Sequence, residues 1–375
     1  MKATSTQLRW FRLRRSGLVE PFTSPEEAAH RLIGVQAQML PAAALAIWNR
    51  TPGLTHADLK AERLDRRTLV RFWGQRETLH LYAARDWPFL HTVFERRQSI
   101  LKSRLAEAGL LADFRRLVAR IGRRLAEGEI LTHKDIHSTE SPVEALALGS
   151  GAYGLSAATL MQLVREGVAC HGAEQDGKSG FVHREHWLPG LDWSPPPAHE
   201  AMPELAVRFL STYGPTQPSD LAYWYDTTVA EAKGWIESAG SRCSTLEVEG
   251  RTLCCAAKDL DTLTNEPPPP PSRWPVRLLG RWDPMLLALK DKSWLIDNEH
   301  KKKVWRPGGN VEATLLIHGR IAGTWRYDRR SKGLRISLSP FAPLTRGATR
   351  AVERQAKAVA KFFGLELAVL DWVDI

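Results

Sequence analysis

Two glutamines stand two residues apart in an otherwise apolar run, Leu32-Ile33-Gly34-Val35-Gln36-Ala37-Gln38-Met39-Leu40-Pro41. A carboxamide is no strong base, but its oxygen accepts a hydrogen bond from water and its nitrogen donates to an oxygen of a sugar or base. Such chemistry is weak and suffices only where the bond to be broken is already labile. Taken alone, the pair reads more simply as a hydrogen-bonded helix-terminus network that does no catalysis. Upstream, Ser24 can cap a helix, Pro25 suits its first position, and Glu26 and Glu27 favour its positive end. The spacing predicts a helix running from there toward Gln38, stopped or kinked at Pro41. Residues two apart on a helix do not share a face. Both amides therefore meet one site only if the helix end is irregular, or if the site wraps around that end.

The second feature is a basic run with aromatic residues beside it, His300-Lys301-Lys302-Lys303-Val304-Trp305-Arg306. Lys290, Lys292, Arg326, Arg329, Arg330 and Lys332 fall in nearby strands and turns, and Arg9, Arg12, Arg14 and Arg15 form a separate group. Such residues neutralise phosphates; the alternative for 300–306 is a solvated hairpin. His133 and His137 are four apart and His183 and His186 three apart. Neither pair has a cysteine or carboxylate in a recognisable array, so no metal and no cofactor is expected. Asp283 before Pro284 reads as a turn cap. The chain carries no Gly-rich phosphate loop, no Ser/His/Asp signature and no zinc-deaminase motif.

A chain of 375 residues with a formal net charge of +10 has ample core for two or three domains. Its basic excess favours an anionic partner, nucleic acid first. Four cysteines, Cys170, Cys243, Cys254 and Cys255, fit neither a zinc ribbon nor a disulfide framework, so a reducing cytoplasm is expected. The N-terminus is polar and leads into a basic amphipathic segment, with no secretory hydrophobic region. No apolar run is long enough for a bilayer, and no membrane association is expected.

The elements that must position these residues follow one grammar three times: helices, then two short strands joined by a polar turn, as in a winged helix-turn-helix. The first window holds the glutamines and a helix over residues 55–64. It then has strands Leu69–Trp73 and Thr78–Tyr82 about the turn Gly74-Gln75-Arg76-Glu77, and a helix from Asp86 to Arg104. The second has helices over residues 114–125, 132–137 and 155–167, then a hairpin of residues 168–171 and 180–184. The third is clearest: helices 202–213, 216–224 and 227–238, then a hairpin turning at Glu249-Gly250. The polyproline tract Pro267–Pro271 is the best boundary. Beyond it, segments 277–280, 294–297, 311–317, 321–327 and 334–338 read as extended and predict a small curved sheet or barrel. A last helix, 344–363, and strand, 365–370, close the chain. The expected fold is α+β, three tandem winged helix-turn-helix units over residues 1–104, 105–200 and 201–266, then a β-barrel-like domain over residues 273–375.

Taken in order, these pieces resemble the AlkZ/YcaQ-type winged-helix DNA glycosylases. The markers are Gln36-Ala37-Gln38; Phe72-Trp73-Gly74-Gln75-Arg76-Glu77-Thr78-Leu79-His80; the stretch from Gly214-Pro215 to Trp224; Leu278 to Pro284; His300 to Gly309; and Gly319 to Trp325. Each is short, and their order along the whole chain makes the match specific. Gln at position 38 places the chain with the Gln-x-Gln, AlkZ-like branch rather than the Gln-x-Asp branch. Glu77 departs from the glycine expected there, and a carboxylate in that turn would repel phosphates.

The resemblance implies a monofunctional glycosylase of alkylated purines, N7-alkylguanine and N3-alkyladenine, with interstrand crosslinks or bulky natural-product adducts as further substrates. Alkylation at those nitrogens makes the base a good leaving group, so two amides that place water and steady a positive sugar suit the task. Gln36 and Gln38 are the implied catalytic pair. His80 lies near the cleft in the family's pattern, although a strand-pair histidine is an equal reading. The implied DNA contacts are Arg76, His80, His300, Lys301, Lys302, Lys303 and Arg306. The partner is double-stranded DNA carrying alkylated purines, acted on by a monomer in the bacterial cytoplasm, at the nucleoid. A non-catalytic tandem winged-helix regulator is the competing reading.

Overall fold

The structure is a computed structural model and describes residues 1–95, 100–137, 154–175, 178–330 and 333–373. It is α+β, and it divides into two compact units: Met1–Lys60 with Met202–Ile375, and Ala61–Ala201. The first unit begins with strand β1 (Lys2–Ala3) and helices α1 (Ser5–Arg15) and α2 (Pro25–Arg31). It continues with β2 (Val35–Gln36), α3 (Leu40–Trp48) and α4 (His56–Leu64), which reaches the second unit. A reciprocal capping box between Thr4 and Gln7 starts α1. Its arginines all have partners within the protein, and one of them is buried. Arg12 is buried against the Pro215 carbonyl and over the Trp294 ring. Arg9 donates to Trp294 O at 2.9 Å, Arg14 pairs with Glu20 and Glu266, and Arg15 pairs with Asp259.

The second unit holds β3 (Leu69–Trp73), β4 (Leu79–Ala83), α5 (Trp87–Glu95), α6 (Ile100–Glu107), α7 (Leu111–Ala126), α8 (His133–His137), α9 (Leu155–Arg165), β5 (Ala169–Gln175), β6 (Lys178–His183) and α10 (Arg184–Trp187). Within it the strands run in the order β4-β3-β5-β6. Helix α7 buries Phe114, Leu117, Val118, Ile121 and Leu125 and leaves its arginine face to solvent, the one-sided pattern of a helix on a core. The β5–β6 hairpin is longer than its sequence predicts, because the pairing runs on into the polar segment as far as Gln175 and Lys178. Three of the histidines set at metal-like spacing have partners within the fold. His133 packs edge-on to Phe181, His183 caps α10 through Glu185 N, and His186 meets the Ala126 carbonyl.

The chain returns to the first unit through α11 (Ala198–Tyr213), α12 (Pro218–Tyr225), α13 (Val229–Ser238), β7 (Cys243–Val248) and β8 (Arg251–Ala256). Thr228 opens α13 with a capping box, and Glu249-Gly250, both at positive φ, turn the β7–β8 hairpin as expected. An unforeseen third strand joins them: β1 lies parallel to β7, pairing Ala3 with Val248. After α14 (Leu260–Asn265) come β9 (Arg277–Leu279), α15 (Pro284–Leu287), α16 (Lys301–Val304), β10 (Trp305–Arg306), β11 (Asn310–Val311), β12 (Thr314–Ile317), β13 (Arg320–Arg330), β14 (Gly333–Pro340), α17 (Arg346–Phe362) and β15 (Leu367–Trp372).

These last strands make an open sheet in the order β15-β14-β13-β12-β9. Among the described residues no pairing joins its edges β9 and β15 into a barrel. Residues 294–297, expected to be extended, are a turn instead: Leu295 N and Ile296 N both fold back onto Lys292 O, at 2.9 and 3.1 Å. Three apolar residues in a row do not distinguish a strand from a buried turn.

Candidate active site

Gln36 and Gln38 lie where α2 gives way to α3. Helix α2 starts as its residues dictate, with Ser24 Oγ accepting from Glu27 N at 3.0 Å. It does not run to Gln38. It ends at Arg31, because Ile33 and Gly34 take left-handed φ values of 55° and 92°. Ile33 N donates to His30 O at 3.1 Å and Gly34 N to Ala29 O at 2.9 Å, the double closure of a Schellman end. Gly34 adopts this geometry freely. Ile33 does so at a cost of about 1–2 kcal/mol. Two side chains of α11 hold the end in place: Thr212 Oγ1 donates to Arg31 O at 2.6 Å and Tyr213 OH to Leu32 O at 2.7 Å. These are carbonyls that no helical turn could have satisfied.

The early ending decides the geometry of the glutamines. Val35–Gln36 is a short strand, and Gln38 follows in a bend before α3, so neither glutamine stands on a helix. Gln36 is 8% exposed, Gln38 is half-buried and Met39 is 45% exposed, so the segment climbs from core to surface. Pro41 starts α3 instead of stopping a helix, in the first turn where its missing N–H removes no bond.

Helix α3 fixes the segment from the other side. Its residues Ala42 to Ile47 are all buried, so it runs through the interior of the first unit. A Cβ on Gly280, just past β9, would stand 2.9 Å from Ala42 O, so only glycine lets β9 approach this closely. Beyond the end of α3, the fully buried Arg50 donates to Ala46 O at 2.7 Å and Ser16 O at 2.6 Å. It also grips both carboxylate oxygens of Asp283 at 2.8 Å. Asp283 caps α15 as well, accepting from Met285 N at 3.0 Å, so the cap expected there is present and carries an ion pair besides. Nothing in the sequence flagged Arg50, Thr212 or Tyr213, whose roles arise from partners hundreds of residues away.

The basic run 300–306 is a helical turn leading into a hairpin. His300 stacks on Phe341 at 4.3 Å between ring centroids, and Lys303 Nζ lies 5.5 Å from the same ring. Lys302 is exposed and Lys301 half-exposed. Arg306 sits exposed on β10, with Nε 3.2 Å from Glu312 Oε1. The tip of the β10–β11 hairpin is tied down by Trp282 Nε1, which donates to Gly309 O at 2.9 Å. Gly280 on α3 and Trp282 on the hairpin thus link the basic run to the helix that follows Gln38.

In the second unit, Arg76 occupies the tight turn between β3 and β4 at a φ of 55°. Gly74 permits that turn, since a Cβ there would stand 1.6 Å from the Tyr82 hydroxyl oxygen. Glu77, the departure from the family pattern, is exposed and ion-paired with Arg165, so its charge is met locally. His80 is not a surface residue. It is wholly buried on β4, its Nδ1 2.9 Å from Thr78 O and its ring stacked on Tyr82. The strand-pair reading of His80 describes its place in the free protein.

A family profile described as DNA glycosylase AlkZ-like matches residues 29–362. The chain belongs to the AlkZ-like DNA glycosylase family. Its fold is similar to that of the Streptomyces sahachiroi DNA glycosylase AlkZ, with a TM-score of 0.82 at 26% sequence identity, covering 100% of both chains. No curated protein matches. This AlkZ-like chain is therefore a DNA glycosylase, an enzyme of DNA repair. The profile match takes in both glutamines, the α11 side chains that brace them and the Arg50–Asp283 pair.

Proposed function

We propose that this DNA glycosylase hydrolyses the N-glycosidic bond of alkylated purines, N7-alkylguanine and N3-alkyladenine, with Gln36 and Gln38 as the catalytic pair. The observation that carries the reading is the short non-helical segment between α2 and α3, braced on both flanks, with Gln36 rooted in the core and Gln38 rising toward the surface. Carboxamide oxygens there would hold a water beside the anomeric carbon and face the positive charge that the sugar gains as the base leaves. Neither group can supply an acid. A cationic alkylated purine needs none, and a neutral undamaged purine would leave poorly.

The DNA partner is held on this reading by tandem winged helices, with Arg76 at one wing turn and His300, Lys301, Lys302, Lys303 and Arg306 at the sheet domain. His80 supports the β3–β4 turn from within. A catalytic segment that rises to the surface also suits crosslinked or bulky adducts, which cannot be flipped freely into a deep pocket. The enzyme acts as a monomer at the bacterial nucleoid.

The test is a duplex carrying one 7-methylguanine, incubated with the enzyme and then cleaved with alkali. Strand breakage at that site is expected with the wild type. Gln36→Ala and Gln38→Ala should each slow it by about a hundredfold, the usual loss for one transition-state contact. Wild-type rates in both variants would remove the assignment. A Lys301/Lys302/Lys303 triple substitution to Gln should weaken binding to any duplex and flatten its salt dependence.

A further inference from the structure

Helix α17 carries a row of cations that no role above accounts for. Arg346, Arg350, Arg354, Lys357 and Lys361 recur at helical spacing and all five are exposed, while Ala348, Val352, Ala356, Val359, Ala360 and Phe362 form the buried face. Among the described residues none of the five makes an ion pair. The helix has one acid, Glu353, which is half-buried. Like charges three and four residues apart destabilise a helix by about 0.2–0.5 kcal/mol per pair. The first turn holds no acid and starts with Arg346, against the positive end of the helix dipole. An uncompensated arrangement of this kind is relieved by an anionic partner.

The row deepens at one point. Arg354 lines a cavity of about 480 Å³ together with Arg277, His318, Ser272 and Thr345. Among the described residues the Arg277 guanidinium donates to main-chain oxygens alone, Val276 O and Leu18 O, each at 3.1 Å. Burial and the neighbouring Arg50 lower its pKa, so it stands in a positive field without a carboxylate. Phosphate chemistry fits such a cavity.

The row runs about 22 Å, at a rise of about 1.5 Å per residue. Duplex DNA presents about one charge per 1.7 Å of axis, ample for five contacts. A membrane-surface helix would need large apolar side chains beside its cations, whereas this row is flanked by Gly347, Ala351 and Ala358. Nor does the row belong to the glutamine edge. The far end of α17 packs on α3 through Phe362 and Trp48, 5.4 Å between ring centroids, at the opposite end of α3 from Gln38.

We propose that the exposed face of α17 is a second DNA-holding surface, taking the sugar–phosphate backbone of duplex outside the segment that meets Gln36 and Gln38, with the Arg277–Arg354 cavity seating one phosphate. Such a face would keep the enzyme on DNA while the catalytic edge is unengaged.

The test uses the full chain with Arg346, Arg350, Arg354, Lys357 and Lys361 all replaced by Gln. Binding to an undamaged duplex is followed by fluorescence anisotropy across a salt series. Loss of at least three phosphate contacts should make the slope of log K against log salt shallower by about 3, at about 0.9 per contact. Melting temperature and kcat on saturating damaged duplex should hold. A companion variant with Lys357 and Lys361 changed to Arg should bind as the wild type does. A slope within one unit of the wild type overturns the proposal. So does binding to phosphatidylserine vesicles that the Gln variant loses while its DNA binding stays. Neither measurement needs base release, so the result stands apart from that of the excision assay.

Discussion

Arg50 and Asp283 show how much one residue pair can fix. Both are fully buried, and Arg50 meets Ser16 O, Ala46 O and both Asp283 oxygens at hydrogen-bonding distances of 2.6 to 2.8 Å. Removing one member strands the other charge away from water, which costs about 3–5 kcal/mol. Asp283→Ala should therefore lower unfolding stability by that much in urea titrations. The double change Arg50→Met with Asp283→Leu should recover most of it, because no lone charge remains. A loss below about 1 kcal/mol for Asp283→Ala would show that water reaches Arg50. Sequence reading found only half of this residue: Asp283 before Pro284 announces a cap, but its arginine partner lies 233 positions away.

Among the elements, α2 is the instructive one. Its start was legible because Ser24, Pro25 and Glu27 act within one turn. Its end was not, because Ile33 has no local preference for a left-handed φ and is held there by the side chains of α11. The same division runs through the chain. The turn at Glu249-Gly250 is readable from its own residues, whereas the turn at residues 294–297 depends on Lys292 O, which three apolar residues in a row do not announce. The two glutamines accordingly stand beyond the end of α2, not on the helix that their surroundings predict. Tyr213→Phe tests the bracing: it leaves the buried Leu32 carbonyl without its donor, at a cost of about 1–3 kcal/mol. Excision by the folded variant should slow while its affinity for undamaged duplex holds. Unchanged excision would mean that α3 alone positions the segment.

At the scale of the molecule, the two units should respond differently to acid. His91, His171 and His183 all belong to the 61–201 unit, and burial lowers the pKa of each, that of His171 furthest. The unfolded chain binds protons from about pH 6.5 downward, where these imidazoles in the fold still refuse them. Their stabilising contribution is whole above that pH and is lost as the pH falls toward the folded values. Amides of residues 61–201 should lose exchange protection between about pH 7 and pH 5.5 before those of the other unit, and His171→Leu should blunt the loss. Equal protection in both units over that range would contradict it. The first unit has another property, since it is assembled from residues 1–60 and 202–375. The glutamine segment leaves the ribosome early, yet Tyr213 and Asp283, which hold it, are translated long afterwards. A nascent or truncated chain should therefore carry the glutamines without a working edge.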